Sequence, residues 1–243
     1  NGDHQNHIDN AVPNMHDDYS VNTSQCQSQV DPFPSGLLSL PTSLAGELER
    51  LRYQVAQING NTYWYEDSLL NGMDLIEHKD LTGGAVATAD FETGFTSEYD
   101  IHLFAIKGIR PVTDNQALTG RFKTAGAYVA ANYEYHALAV SGGAATYNAA
   151  ASAAGSGIVM SASAGNAAGE GVSGLFWLVD PLSTNMSKVI TGDHMTRSPT
   201  TSFVGGSMWG TNPVTTALQG MRFLFVSGNI AAVGSITQYG IRT

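Results

Sequence analysis

Cysteine and charge are both scarce in this sequence. Cys26 is the single cysteine in 243 residues, so no intramolecular disulfide can form and a disulfide-stapled scaffold is excluded. A reducing folding compartment is compatible with that. Charged residues make up 13% of the chain, about half the usual share. Gly, Ala, Ser and Thr fill the gap, which suits a packed assembly better than a free cytosolic enzyme. The first residues, NGDHQNHIDN, lack the basic and apolar stretches of a secretory signal. No apolar run approaches the roughly 18 residues of a spanning helix, so no membrane insertion is expected. A P-loop lysine pattern and a G-x-S-x-G elbow are also missing.

What charge there is lies unevenly. Residues 1–100 hold 16 of the 21 acidic residues against Arg50, Arg52 and Lys79, for a net of -13, whereas residues 101–243 carry +3. An acidic N-terminal part repels phosphates, so no nucleic-acid partner is expected. It can dock on a basic protein surface. Hydrophobic residues reach 42%, enough for one sizeable core.

Residues 1–43 show neither helical nor strand periodicity. They are rich in Asn, Asp, Gln and Ser, with Pro13, Pro32, Pro34 and Pro41 punctuating the path. The segment reads as an extended anchoring arm that buries no core of its own. Residues 44–59 then predict the one clear helix. Thr42 or Ser43 can cap its start, and Asn59-Gly60 gives a C-terminal stop. Leu44, Leu48, Leu51, Val55 and Ile58 are spaced 4, 3, 4, 3, the a/d pattern of a short coiled coil. Glu47 falls at g and Arg52 at the following e, where neighbouring parallel chains can pair opposite charges. These seven residues are the candidate oligomerisation site. Residues 60–72 form a hinge with three consecutive aromatics, Tyr63, Trp64 and Tyr65.

From Met73 the pattern becomes β. Strands are expected near 98–107, 116–124, 127–140, 175–179, 187–191, 221–226 and 235–241. Turn signals separate them: Gly108, Asp114-Asn115, Gly192-Asp193, Gly205-Gly206 and Gly228-Asn229. Residues 221–226 are almost all apolar, as in a central strand covered on both faces. Residues 141–174 contain 11 Ala, 8 Gly and 6 Ser; they read as loops around one short strand near 157–160. Many short strands with frequent turns predict a mainly β fold. A β-sandwich or jelly-roll head over 73–243 would follow an extended N-terminal arm and one short coiled-coil helix.

The catalytic and metal motifs are weak. Gly169–Gly174 matches G-x-G-x-x-G, but it leads into a strand (LFWLVD) rather than a helix, so no dinucleotide or other cofactor is expected. Asp3, His4, His7 and Asp9 are close-set, yet the arm offers no scaffold to fix a metal. Isolated histidines such as His102 and His136 read as satisfied structural residues. Asp114, Asp180 and Asp193 sit in turn contexts, and Glu134 is the one acid on a strand suggestive of glycosidase chemistry. Trp177, Trp209 and Tyr133 are candidate platforms for a carbohydrate.

Two stretches, HIDNAVPNMHDDYS (7–20) and DPFPSGLLSLPTSLAGELERLRYQVAQINGNTYWYED (31–67), resemble the N-terminal module of tailed-phage fibre and spike proteins. Residues 99–122 and 220–243 resemble a β-domain that recurs in phage genomes. The resemblance implies a non-enzymatic virion protein, a homo-oligomer and specifically a trimer. It would attach through residues 1–43 to other virion proteins of the capsid, portal, neck or tail. Its head would point outward, where it could aid adsorption to a host surface glycan. A capsid decoration protein or a carbohydrate-binding adhesin module fits the same features.

Overall fold

Alternation of apolar and polar residues governs the C-terminal region, whose described residues form thirteen strands. This computed structural model describes residues 72–141, 146–200 and 203–242, with the backbone alone over 146–150. The expected arm, the heptad helix and most of the hinge lie outside the described residues. So do Leu44, Glu47, Leu48, Leu51, Arg52, Val55 and Ile58. No helix occurs among the described residues.

The strands are β1 (Asp74–Asp80), β2 (Ala89–Phe91), β3 (Ile101–Ile109), β4 (Gln116–Thr124), β5 (Ala127–Tyr128), β6 (Tyr133–Ser141) and β7 (Thr146–Gly155). They continue as β8 (Ile158–Ala164), β9 (Gly171–Val179), β10 (Lys188–Arg197), β11 (Phe203–Asn212), β12 (Gly220–Phe225) and β13 (Ser235–Ile241). The fold is therefore mainly β, and every pairing is antiparallel. A large sheet runs β1-β13-β3-β9-β10-β11-β6-β7. A smaller sheet runs β2-β12-β4-β5, with β8 also paired to β4.

Both sheets give their inward residues to one core. Phe104, Phe176, Ile190 and Met208 come from the large sheet, and Phe91, Phe122, Phe223 and Met160 from the small one. Phe104 meets Phe91 and Phe223 edge-on, at centroid separations of 5.5 and 5.1 Å. That geometry lets the positive ring edge meet the negative ring face.

The expected strands at 116–124 and 235–241 have these bounds in the structure, whereas others differ for identifiable reasons. Gly192-Asp193 and Gly205-Gly206 are not turns; both lie inside long strands, β10 and β11. Neighbouring backbone dictates glycine there. A Cβ on Gly192 would stand 2.3 Å from the Leu175 carbonyl oxygen, and one on Gly206 would stand 2.3 Å from that of Leu138. Tertiary closeness, rather than a bend, is what these glycines serve. Residues 141–174 form not one short strand but β7, β8 and the start of β9. Small side chains do not prevent a strand whose ladder partners are in place. The 221–226 stretch is central in its sheet, but only one face of β12 is core: Met221, Phe223 and Phe225 are buried, while Arg222 and Leu224 are half-exposed.

Candidate functional site: the outer face of the large sheet

Period-2 alternation sends every second residue of the large sheet away from the core. In β10 the buried set is Lys188, Ile190, Gly192, His194 and Thr196; the outward set is Val189, Thr191, Asp193, Met195 and Arg197. Registers carry this outward set across the sheet. Thr191 lies opposite Trp209 of β11 on one side and Trp177 of β9 on the other. Trp209 faces His136 of β6, and Trp177 faces Leu103 of β3, which faces Tyr239 of β13. One row thus reads His136, Trp209, Thr191, Trp177, Leu103, Tyr239, open from His136 to Trp177 and closed at Leu103, which is buried. Strand spacing puts the two tryptophans about 10 Å apart, on either side of Thr191.

The rows beside it are aliphatic. Leu138, Val140, Leu175, Val179, Val189 and Met195 are each 41–55% exposed, and Phe203 and Trp209 are 51% and 48% exposed. Nine of the fourteen exposed large hydrophobic residues described stand on this face, counting Leu75 of β1. The face is also uneven. A hollow of about 410 Å³ opens over Gly205 and Gly206, walled by Leu138, Val140 and Trp209. A second, of about 340 Å³, opens over Gly174 beside Leu175 and Met195. A third, of about 540 Å³, lies at the end of the strands between Arg110, Glu170, Arg197 and Phe203. Asp193 stands between the first two, and its Oδ1 accepts a hydrogen bond from the Ser207 hydroxyl.

The outside of the small sheet is chemically the opposite. There Arg222 forks onto Asp90, donating from Nε at 2.7 Å and from Nη2 at 2.5 Å. The same guanidinium lies 3.7 Å from the Tyr128 ring centroid. Tyr128 donates to Glu92, which also pairs with Lys123. Burial and the bond to Glu92 together push the Tyr128 phenol up. Burial raises the Asp90 carboxyl, but its bonds to Arg222 outweigh that and leave it lowered. These charges are satisfied among themselves, so that side offers a partner little beyond a solvated surface.

Several expected site residues move on inspection. Tyr133 cannot serve as a glycan platform. It is fully buried, receives the Phe122 amide on its hydroxyl at 2.7 Å and donates to the Val129 carbonyl at 3.1 Å. Burial pushes its phenol up to about 12. Trp177 and Trp209 do share the outer face. Asp193 is on strand β10, not in a turn, while Asp114 and Asp180 are in turns: Asp114 caps the Asn166 amide, and Asp180 has φ 45°. Glu134 is exposed at the margin of the face, level with Val189 through Thr211. Two strand spacings and four residues separate it from Asp193, about 16 Å. A glycosidase pair spans roughly 5–9.5 Å.

His102 is buried, stacks on Phe95 at 4.6 Å and accepts at Nδ1 from Gln238 Nε2 at 3.1 Å. Burial lowers its pKa to about 4, so the ring is neutral at pH 7. His194 is buried beneath the hollows and lowered by burial too, with Asp193 opposing; its Nε2 accepts from the Ala162 amide. Among the described residues no cluster of three or more His, Cys, Asp or Glu could hold a metal ion.

No family model, curated protein or solved structure matches this chain. Sequence reasoning missed this face as a whole, and one strand of it carries a local signal. YEYHALAV carries Leu138 and Val140 on one side and Ala137 and Ala139 on the other, the signature of a strand covered on both faces.

Proposed function

We propose that this chain is a structural subunit of a tailed-phage particle, a fibre or spike component. A β-sandwich or jelly-roll head is tethered through its acidic N-terminal arm and multiplied by its two-heptad helix. The observation that carries this reading is the asymmetry of the head. One sheet closes its outside with ion pairs, and the other turns an apolar face outward. Monomeric soluble proteins rarely expose a contiguous apolar patch beyond a few hundred Å². A protein whose work is assembly needs such a face, and its low charge content and small-residue richness agree. The N-terminal resemblance supplies the particle. Burial of Leu44, Leu48, Leu51, Val55 and Ile58 between copies would contribute about 1.5–3 kcal/mol per side chain. Several arms per oligomer then engage the virion together, so weak single contacts persist.

The test is incorporation. Particles assembled with a chain lacking residues 1–43 should sediment without it, while the full chain should co-sediment. Normal incorporation of the truncated chain would remove the anchoring role.

A second reading has its own support in the Trp177–Thr191–Trp209 row. Two indoles about 10 Å apart suit sugar rings stacked in sequence, as in a carbohydrate-binding adhesin. A glycan array on the full chain tests it. Binding that vanishes in Trp209→Ala with unchanged native mass would support the adhesin; no binding to any glycan would end it.

A further inference from the structure

The outer face of the large sheet leaves open what covers it. We infer that its occupant is a second copy of this chain, packed through the strands β6, β11, β10 and β9 with Trp209, Met195 and Phe203 at the contact. This rests on the assembly reading above and names the surface that reading leaves unspecified.

Size is the first argument. The exposed apolar residues of the face lie on four adjacent strands, β6, β11, β10 and β9; at about 4.8 Å per strand and about seven residues of about 3.3 Å, these give a plan of roughly 19 by 23 Å, about 440 Å². Corrugated side chains expose more than their plan area. The face therefore supplies the larger part of the about 800 Å² per partner that a stable interface buries, the polar rim around it supplying the rest.

Composition is the second. The exposed set is aliphatic as well as aromatic: Leu138, Val140, Leu175, Val179, Val189 and Met195. A sugar, with hydroxyls around its rim, leaves such aliphatic rows without apolar partners. A protein face of the same kind satisfies them. The fully buried centre of a protein interface is depleted in charge, and between Val189 and Met195 the outward residues of β10 include one carboxylate, Asp193, already bonded to Ser207.

Shape is the third. The same surface carries both projections and recesses. Trp209, Met195 and Phe203 are about half exposed at the rims of hollows, those over Gly205–Gly206, over Gly174 and at the strand ends. An indole or a thioether chain fits in either hollow. An interface between identical chains requires one molecule to supply both halves of the fit, and this face does.

Methionine oxidation tests the inference on the unaltered full chain. Met186 is 65% exposed and off the face; Met195 is 55% exposed and on it; Met160, Met208 and Met221 are fully buried. The oligomer is treated with dilute hydrogen peroxide, and sulfoxides are mapped by peptide mass spectrometry. Met195 should oxidise on the order of tenfold more slowly than Met186 and behave like the core methionines. Met195 oxidising as fast as Met186 overturns the inference. So does protection of Met195 in a sample whose native mass is one chain, because the cover then comes from within the chain. As a second readout, Trp209→Glu should lower the native mass while the far-ultraviolet spectrum of the head stays unchanged; an unaltered mass overturns the contact. An open face in a chain that still enters particles would remove only this contact. A chain absent from particles would remove the function proposed above.

Discussion

Replacing Phe104 by Ala should be among the most damaging single changes to the head. Phe104 lies on β3, an interior strand of the large sheet paired on both sides, and its side chain is fully buried. It reaches across the core to Phe91 of β2 and Phe223 of β12, so it joins the two sheets. Phe→Ala in a core costs about 3–5 kcal/mol through lost transfer energy and the cavity left behind. Two edge-to-face pairs disappear as well, each worth about 0.5–1.5 kcal/mol in other proteins. Part of that overlaps the first figure, so about 4 kcal/mol is the working value. For a unit spanning residues 73–243, that corresponds to a fall in melting temperature of about 12 °C. Urea denaturation followed by tryptophan fluorescence reads the change directly, with the slope held as a check on two-state behaviour. Phe203→Ala is the control, since its ring is 51% exposed on the outer face. It should cost under about 0.5 kcal/mol in a dissociated head. A loss below about 1 kcal/mol for Phe104→Ala, or equal losses for the two, would refute the bridging role.

Acid should weaken the head before the carboxylates titrate. Unfolded His102 binds a proton near pH 6.5, the folded ring only near pH 4, so the unfolded state holds more protons in between and stability falls as pH drops through that window, by up to about 3 kcal/mol. His194 acts in the same direction; a flat denaturation midpoint between pH 7 and 4.5 would contradict this. Arg222→Ala should cost about 1 kcal/mol, part of it lost in high salt, because a partly exposed ion pair and a cation–π contact go together; melts at two ionic strengths check it. Gly206→Val should destabilise by more than about 2 kcal/mol, because its Cβ would press on the Leu138 carbonyl, and a neutral result would show that β6 and β11 can part. Leu51→Asp should dissociate the oligomer by placing a charge at a d position, visible as a fall in native mass.

Much of the head is legible in the sequence where strands alternate cleanly. Residues 116–124 and 235–241 keep their expected bounds because a residue with positive φ sets the start of each, Asn115 at 60° and Gly234 at 80°, and inward positions alternate along them, Leu118, Gly120 and Phe122 in one and Ile236, Gln238 and Gly240 in the other. Reading fails where glycine serves closeness instead of turning. Gly192 and Gly206 look like breaks but lie in the two longest-paired strands of the large sheet. The alanine-rich stretch misleads for a related reason. Its strands are specified by the partners they pair with, as β8 is by β4, and not by large side chains of their own. The outer face is invisible to any local window. Trp177, Thr191 and Trp209 are 14 and 18 residues apart in sequence, and the registers of β9, β10 and β11 bring them into one row. The candidate residues of the expected helix lie outside the described residues, so their reading rests on the 4, 3, 4, 3 spacing.

The central claim is that this protein works by assembling. Light scattering on the full chain, beside a chain beginning at Asn61, tests it most directly. The account predicts a native mass near three times 25.6 kDa for the full chain, falling on truncation as the proposed helix is removed. A mass of one chain for both, at every concentration tried, would contradict it.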